Sequence, residues 1–225
     1  MHDAERVRAD FDEIARLAGP RGSGSDRCDR FLASLVPAGT VRVLDVGCGL
    51  GGLAFAIASD GREVVGIDLS PVMIERARRA ENAPGVSFIC GNFLEAELAE
   101  ASFDCVVSAA VLHHMPYDMA IARMAALLRP GGRLIVQDLR RDSSLRETLR
   151  SCSALAHTLL ICLVRTGRLR SSRRVREAWA RHGAGETYLS FDEARALADR
   201  ILPGARVLDH ALWRYTILWD KPAAP

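Results

Sequence analysis

Short apolar runs alternate with helix-like stretches over residues 41–139, and this alternation constrains the fold more than any other feature. It predicts strands at 41–46, 63–69, 86–90, 104–109 and 133–138. It predicts helices at 53–59, 71–81 and 119–128. Because the strands are almost continuously apolar, both faces of their sheet must be covered, as in a parallel sheet with helices on each side. Ligands of such sheets bind at the carboxyl ends of the strands, so we expect the site in the loops after the first four strands.

The alternation ends near residue 139, and residues 140–190 are predicted to be mainly helical. A helix at 191–201 should begin with a capping box formed by Ser190 and Glu193, and two strands should close the chain at 205–210 and 212–220. We therefore expect one α/β domain: a Rossmann-like, doubly wound, mostly parallel seven-stranded sheet with a helical insert before the last two strands. Its predicted parts are an N-terminal helical lid (1–37), the core (38–139), the insert (140–190), and the closing helix and strands (191–225).

Hydropathy and the N-terminus predict a soluble, cytoplasmic protein. The longest apolar stretch, 154–164, is shorter than the roughly 20 residues that a transmembrane helix needs. Residues 1–6 carry charges of both signs and no apolar region follows them, so no secretion signal is predicted.

The cysteines favour the same compartment. All six lie apart, without a C-x-x-C pair, and in a chain of 225 residues without a secretion signal they are predicted to be reduced thiols. Zinc sites need clustered ligands. Since the sequence shows no such cluster, no metal is predicted.

The glycine-rich turn after the first strand, L-D-V-G-C-G-L-G-G (44–52), is the main candidate site. Gly47, Gly49 and Gly52 offer no Cβ that would block a ligand, and a helix N-terminus follows. Glycines at this spacing also fit a nicotinamide nucleotide. Asp45 argues against that cofactor, because a carboxylate there repels a pyrophosphate but suits a cofactor with a cationic amino group. Asp68, which ends the second strand, can accept hydrogen bonds from two ribose hydroxyls.

Five further motifs follow in a fixed order: V-G-I-D-L-S (65–70), G-N-F (91–93), F-D-C-V-V-S (103–108), V-L-H-H-M (111–115) and L-R-P-G-G-R-L-I-V (128–136). With these motifs the chain resembles the class I S-adenosylmethionine-dependent methyltransferases. The resemblance covers roughly residues 40–139 and the closing strands. It implies S-adenosyl-L-methionine as the cofactor and, as the function, methyl transfer to a small-molecule acceptor.

The resemblance also implies which residues hold the cofactor. From the methionine end through the ribose to the adenine they are Asp45, Gly47, Gly49, Ser108, Ala109, Asp68, Leu69, Met73, Asn92 and Phe93. The glycine-turn amides and the Asp45 carboxylate would contact the methionine carboxyl and amino groups, and Asp68 would hold the ribose. Asn92 departs from the aspartate that the family more often has there, although its carboxamide oxygen can still accept a hydrogen bond. Leu69 and Met73 are equally compatible with simple core packing.

A sulfonium methyl is already activated, so the protein must align the acceptor and exclude water. A general base is needed only for an acceptor that keeps its proton at neutral pH. His113 and His114, which follow the fourth strand, are the candidate catalytic residues, with Asp138 a weaker one. The alternative is that both histidines position the cofactor or acceptor, or only cap the loop.

The acceptor pocket should come from the N-terminal helix and the insert, which the resemblance does not cover and which would act as lid and cap. Its candidate residues are Phe11, Trp179, His182 and Tyr188, for which surface or packing roles are equally open.

Three other functions stay open: a nucleotide-dependent Rossmann oxidoreductase, a methyltransferase acting on a macromolecule, and a non-catalytic cofactor-binding protein. A nucleic-acid partner is not favoured, because residues 108–111 read S-A-A-V where base-amino methyltransferases carry an N/D-P-P-Y/F motif. The net charge of +2 hides a basic insert, however. Residues 140–181 hold 11 arginines against Asp142, Glu147 and Glu177, a net charge of +8. This leaves an acidic acceptor, an acidic partner or a homodimer open.

Overall fold

A computed structural model of the chain describes residues 4–17, 26–58, 61–80, 83–145, 147–149, 151–153, 155 and 173–223. They form a seven-stranded sheet with the order β3-β2-β1-β4-β5-β7-β6. The strands are β1 (Arg42–Val46), β2 (Glu63–Asp68), β3 (Val86–Cys90), β4 (Phe103–Ala109), β5 (Leu128–Leu139), β6 (Arg206–His210) and β7 (Arg214–Asp220). The first five pair in parallel, whereas β7 is antiparallel to both β5 and β6. The predicted doubly wound, mostly parallel fold is confirmed.

Seven helices have bounds within the described residues: α1 (Ala4–Leu17), α2 (Asp26–Ser34), α3 (Gly52–Ala58), α4 (Pro71–Ala80), α5 (Tyr117–Leu127), α6 (Arg173–Gly183) and α7 (Phe191–Ile201). A single 3₁₀ turn, Leu112–His114, follows β4. None of the described helices is long and apolar enough to cross a membrane. The Ser190 capping box of α7 is confirmed: Ser190 Oγ accepts from the Glu193 amide at 3.3 Å, and Glu193 Oε2 accepts from the Ser190 amide at 2.7 Å.

The core lies on both faces of the sheet, as the continuous apolar strands require. Along β1, Leu44 and Val46 pack into one apolar cluster with α5 and α7, while Val43 packs into a second cluster with α2 and α3. All three side chains are fully buried. Such two-sided burial leaves the ends of the strands, rather than a sheet face, as the place where a ligand can reach the backbone.

The start of the fifth strand differs from the prediction. This strand was expected at 133–138, but β5 begins at Leu128 and so includes the Pro130-Gly131-Gly132 segment. Leu128 pairs with Phe103 and Arg133 pairs with Cys105, so four residues of β5 lie between the two pairs against one residue of β4, and β5 bulges there. Lys221 donates its amide to the Gly132 carbonyl, and the Gly131 amide donates to the Lys221 carbonyl. These bonds keep the glycine segment in the sheet.

The insert is anchored where it leaves β5. The Arg140 side chain is fully buried; its Nη1 lies 2.9 Å from Asp142 Oδ1 and 3.2 Å from Glu147 Oε2, and its Nε lies 3.1 Å from Asp209 Oδ1. Within the segment predicted to be mainly helical (140–190), helical residues occur at 145, 147–149, 151–153 and 155. Residues 156–172 lie outside the described residues, and α6 begins at Arg173.

Candidate active site

A cavity of about 1130 Å³ lies beyond the carboxyl ends of β1, β2 and β4. Helices α1 and α6 contribute Val7, Phe11 and Trp179 to its other side. Twelve residues singled out from the sequence line it: Asp45, Gly47, Gly49, Asp68, Leu69, Met73, Asn92, Phe93, Ala109, His114, Phe11 and Trp179. Four others, Ser108, His113, His182 and Tyr188, do not line it.

The glycine turn after β1 is clamped onto β2. The amides of Gly47 and Cys48 donate to the Ile67 carbonyl at 2.8 and 3.1 Å, and the Gly49 amide donates to Asp68 Oδ2 at 2.8 Å. Gly47 has φ +72°, and a Cβ there would lie 2.2 Å from Val111 Cγ2. Only glycine therefore fits at this position. The amides of this turn were expected to contact the methionine carboxyl group, but those of Gly47, Cys48 and Gly49 donate to groups within the protein.

Asp68 supports the turn as well as lining the cavity. Its Oδ1 accepts from the Ser70 amide at 2.9 Å, and its Oδ2 accepts from the Gly49 amide. Burial raises its pKa, and these two amides act in the opposite direction by stabilising the carboxylate. Each oxygen keeps a further lone pair, so the carboxylate can still accept from two ribose hydroxyls.

Asp45 is almost fully buried beside the turn. Among the described residues, none lies within hydrogen-bonding reach of its Oδ2. Burial first, and then the neighbouring carboxylates Asp29 and Asp68, raise the pKa of Asp45 to about 8. A cationic group in the cavity would satisfy the bare oxygen and stabilise the charged form.

The predicted adenine residues surround the opposite part of the cavity. Met73 also packs against Ile14 and Ala15 of α1, so it belongs to a small core cluster as well as to the lining. Asn92 uses its carboxamide in its own turn: Oδ1 accepts from the Leu94 amide at 3.1 Å, and Nδ2 donates to Glu95 Oε1 at 2.9 Å. The second lone pair of Oδ1 is the acceptor that this side chain can still offer.

Ser108 and Ala109 end β4 but behave differently. Ala109 lines the cavity, whereas Ser108 is fully buried and its hydroxyl donates to the Val46 carbonyl at 3.1 Å. This bond ties β4 to the strand end that carries the glycine turn. The structure thus gives the Ser108 side chain a supporting position behind the cavity wall.

Helix α1 covers the cavity and is held at several points. Asp12 Oδ1 accepts from Ser70 Oγ at 2.5 Å, and Arg76 donates to the Ala15 carbonyl. Arg181 of α6 donates to Glu13 at 2.6 Å. Phe11 meets Trp179 edge-on with ring centroids 6.1 Å apart. The two helices form an apolar, aromatic roof over one end of the cavity.

Three histidines meet beneath this roof. His113 Nδ1 lies 2.7 Å from Asp138 Oδ1, and both side chains are buried. The His113 ring stacks obliquely on that of His114 at 3.9 Å and lies 5.0 Å from that of Tyr188. His182 of α6 contacts the His114 ring at 4.9 Å. Of the three, His114 is the member that lines the cavity.

These histidines were expected in two different roles, catalytic for His113 and His114 and acceptor binding for His182, and their meeting in one group was not predicted. His182 is far from His113 and His114 in the chain, and no motif relates them. The isolated parallel bridge between Arg140 and Leu189 and the docking of α6 on α1 bring the insert back to β4. Tertiary packing of this kind leaves no local signal in a single sequence.

Comparisons with known proteins agree with this geometry. Residues 43–132 match the family described as "Methyltransferase domain". An uncharacterized methyltransferase of Mycobacterium tuberculosis is 42% identical over 110 residues, which are 48% of this chain and 55% of that protein. The ubiquinone biosynthesis O-methyltransferase of Xylella fastidiosa is 40% identical over 115 residues, which are 49% of this chain and 47% of that protein. Residues 43–132 therefore form a methyltransferase domain, and over about half of its length the chain is similar to S-adenosylmethionine-dependent methyltransferases of class I.

The similarity in fold extends further than the similarity in sequence. Magnesium protoporphyrin IX methyltransferase from Synechocystis superposes with a TM-score of 0.60 over 97% of this methyltransferase and 99% of that chain, at 17% identity. Matched segments span about half the length of the curated relatives. The shared part is the one that holds Asp45, Asp68 and the glycine turn.

The residues of this methyltransferase fit its family's cofactor. The bare, buried Oδ2 of Asp45 fits the ammonium group of S-adenosylmethionine, and the free lone pairs of Asp68 fit its ribose hydroxyls. Leu69, Met73 and Phe93 supply apolar walls for an adenine ring.

Proposed function

We propose that this methyltransferase transfers the methyl group of S-adenosylmethionine to a hydroxyl group of a small, mainly apolar acceptor. The observation that carries the proposal is a single cavity that is lined by Asp45, Asp68, the glycine turn and also His114. A cofactor and an acceptor can therefore lie next to each other within it.

At the cofactor end of the cavity the protein needs to contribute little chemistry. When bound, S-adenosylmethionine supplies an electrophilic methyl group on a sulfonium, so binding and alignment are the tasks left to the chain. Asp45 would hold the ammonium group and Asp68 the ribose. The clamp from Ile67 and Asp68 onto the turn keeps this end in shape before the cofactor arrives.

The acceptor half favours an uncharged ligand. Its walls are Val7, Phe11, Met115, Pro116 and Trp179. The arginines that line the cavity, Arg76 and Arg79, belong to α4; among the described residues, none of the insert's arginines lines it.

Several described arginines of the insert instead face carboxylates of the protein itself. The pairs are Arg140 with Asp142, Arg141 with Glu193, Arg173 with Glu177 and Arg181 with Glu13. The basic insert therefore gives no support for an acidic acceptor within the described cavity.

The histidines favour a hydroxyl acceptor, because an alcohol or a phenol must lose its proton during transfer. His114 Nδ1 faces Glu186 Oε2 at 3.3 Å, which leaves Nε2 to take that proton. His113, held by Asp138, stacks on His114 and would keep its ring in place. His114 is thus the proposed base, and His113 a positioning residue.

Binding and turnover can be tested separately. Calorimetric titration should show that S-adenosylhomocysteine binds the full chain and that NAD does not; tight NAD binding would contradict the proposal. Turnover is then measured with a chelator present, using alcohols, phenols, amines and thiols on matched apolar skeletons. We expect methylation of the hydroxyl series.

His114→Ala should lower kcat on a phenol at least about a hundredfold near neutral pH, the usual contribution of a general base. The loss should shrink at alkaline pH, where the phenol ionises without help. His210→Ala is the matched control, since His210 bonds Thr216 at 2.9 Å away from the cavity. Unchanged turnover in His114→Ala would eliminate the base assignment while leaving cofactor binding intact.

A further inference from the structure

The three-histidine group has the composition and geometry of a metal site. One ring nitrogen each of His113, His114 and His182 lies within 4.8 Å of the other two, and all three residues are buried. His113 and His114 come from the 3₁₀ turn after β4, and His182 from the last turn of α6. A turn of the core and a helix of the insert therefore supply the group together.

Each histidine also has a carboxylate behind it. Nδ1 of His113 lies 2.7 Å from Asp138, Nδ1 of His114 lies 3.3 Å from Glu186, and Nδ1 of His182 lies 3.2 Å from Asp10. A carboxylate that accepts the Nδ1 proton fixes the tautomer with a lone pair on Nε2 and makes that nitrogen a stronger ligand. The same arrangement occurs three times around one point.

If each Nδ1 donates to its carboxylate, the three Nε2 atoms carry lone pairs, and a positive group placed among them would stabilise this buried arrangement. We propose that His113, His114 and His182 bind one divalent transition-metal ion of the zinc class through their Nε2 atoms. Neutral imidazole suits zinc, cobalt, nickel and copper, whereas magnesium and calcium prefer oxygen ligands. Three histidines with an open fourth position make up a ligand set of catalytic zinc sites.

The geometry requires a modest closure. Nitrogens bound to one tetrahedral ion at about 2.0–2.1 Å lie about 3.3 Å apart, so the rings must turn inward from their present separation. The closure is local, because the carboxylates hold the Nδ1 side of each ring. His182 approaches from the insert, so metal binding would also tie α6 to the core.

The site lies at the acceptor end, since His114 lines the cavity. With an ion bound, His114 Nε2 would be a ligand and no longer the base, and an acceptor hydroxyl in the fourth position would release its proton to water more readily. Metal binding itself does not rest on the proposed reaction. It adds a second route to the same ionised acceptor.

The test is a titration of the chelator-treated full chain with Co²⁺ and Zn²⁺, without cofactor. We expect one ion per chain and the visible Co²⁺ absorption of a four- or five-coordinate nitrogen site. Asp10→Asn keeps all three ligands and the shape of the side chain but removes the carboxylate behind His182, so we expect it to lower the Co²⁺ affinity about 10- to 100-fold. His182→Ala removes a ligand itself and should lower the Co²⁺ affinity by at least as much.

His210→Ala is again the control and should bind as the unaltered chain does. Circular dichroism shows whether each variant is folded. If His182→Ala does not fold, Asp10→Asn still tests the site. No Co²⁺ binding, unaltered binding in Asp10→Asn and His182→Ala, or a sulfur-to-cobalt band from the cysteines would each overturn the proposal. Since S-adenosylhomocysteine binding is measured without metal, failure here is distinct from failure of the proposed function.

Discussion

Most of the predicted cofactor residues that line the cavity come from one stretch of chain, residues 45–93, with Ala109 outside it, whereas the histidine end joins four separate parts. Asp10 comes from α1, His113 and His114 from the turn after β4, Asp138 from β5, and His182 with Glu186 from the insert. The shape of the cofactor end depends on backbone conformation, since Gly47 and the Asp68 clamp fix a turn. The shape of the histidine end depends on side-chain contacts between distant segments. Substitutions should therefore be able to damage one end and leave the other intact.

The largest expected loss of stability comes from a substitution at the anchor of the insert, which should affect the histidine end and spare the cofactor end. Arg140→Ala removes the buried cation that faces Asp142, Glu147 and Asp209. Losing one partner of a buried ion group costs about 3–5 kcal/mol, and because these carboxylates keep some solvent contact we expect the lower value. Urea unfolding measures this loss. Turnover should fall with it, while affinity for S-adenosylhomocysteine changes little.

The neighbouring Arg141→Ala is the control for that substitution. Arg141 pairs with Glu193 at 2.6 Å, but both side chains are about half exposed. Such pairs contribute about 0–1 kcal/mol. Equal destabilisation by the two variants would show that Arg140 is not the anchor of the insert.

The next effect concerns the cofactor end alone. Gly47→Ala places a methyl group 2.2 Å from Val111 Cγ2 at φ +72°, whereas Gly39→Ala meets only the left-handed backbone at φ +81° with open space around it. We expect Gly39→Ala to cost about 1–2 kcal/mol and Gly47→Ala about 1–3 kcal/mol more from overpacking. Only Gly47→Ala should also weaken cofactor affinity.

A second substitution checks the cause. Val111→Ala, added to Gly47→Ala, should recover part of the lost stability, because it removes the side chain that the new methyl group meets. Additivity of the two substitutions in urea unfolding would contradict the clash as the explanation.

A pH dependence should distinguish Asp45 from the histidines. The pKa of Asp45 is raised to about 8, so the ligand-free protein holds this carboxyl protonated at neutral pH. Binding an ammonium group needs the ionised form, and affinity for S-adenosylhomocysteine should rise by up to about tenfold per pH unit up to pH 8. Calorimetry at several pH values measures the slope, and Asp45→Asn should flatten it.

The raised pKa of Asp45 also determines in which direction the stability of the fold changes with pH. Its folded pKa lies above its unfolded value, so the native state binds more protons between about pH 4 and 8. The contribution of Asp45 to stability is therefore present below pH 4 and is lost as the pH rises toward 8. Asp45→Asn should reduce this loss, whereas a variant that leaves the pH profile of unfolding unchanged would contradict the pKa assignment.

The smallest expected effect concerns the contact between α1 and α6, the two helices that form the roof of the cavity. Arg181→Ala breaks an exposed 2.6 Å pair with Glu13 that joins α6 to α1. Salt and solvent weaken such a pair, so we expect at most a small change in the free energy of unfolding. A slightly raised KM for the acceptor, with the cofactor KM unchanged, would place the pair at the acceptor end. A larger change in the cofactor KM would argue against the division between the two ends.

What could be predicted from sequence follows the same division. The β1 turn, Asp45 and Asp68 are local, because strand periodicity and glycine spacing determine them within a few residues. The capping box at Ser190 is local in the same sense. By contrast, the Ser108 hydroxyl points to the Val46 carbonyl, and the Gly49 amide is taken by Asp68, because hydrogen bonds between strands decide where these groups point. The histidine group depends on how α6 returns to β4, which no single segment specifies.

Helix α1 carries two aspartates that reach opposite ends of the cavity. Asp12 bonds Ser70, next to Asp68, and Asp10 faces His182. A helix moves largely as one body, so a ligand that draws α1 toward one end also changes the fit at the other. Thermodynamic reciprocity then requires the two ligands to alter each other's affinity by the same factor. A coupling of this kind between the affinities for cofactor and acceptor would run through the fourteen residues of α1.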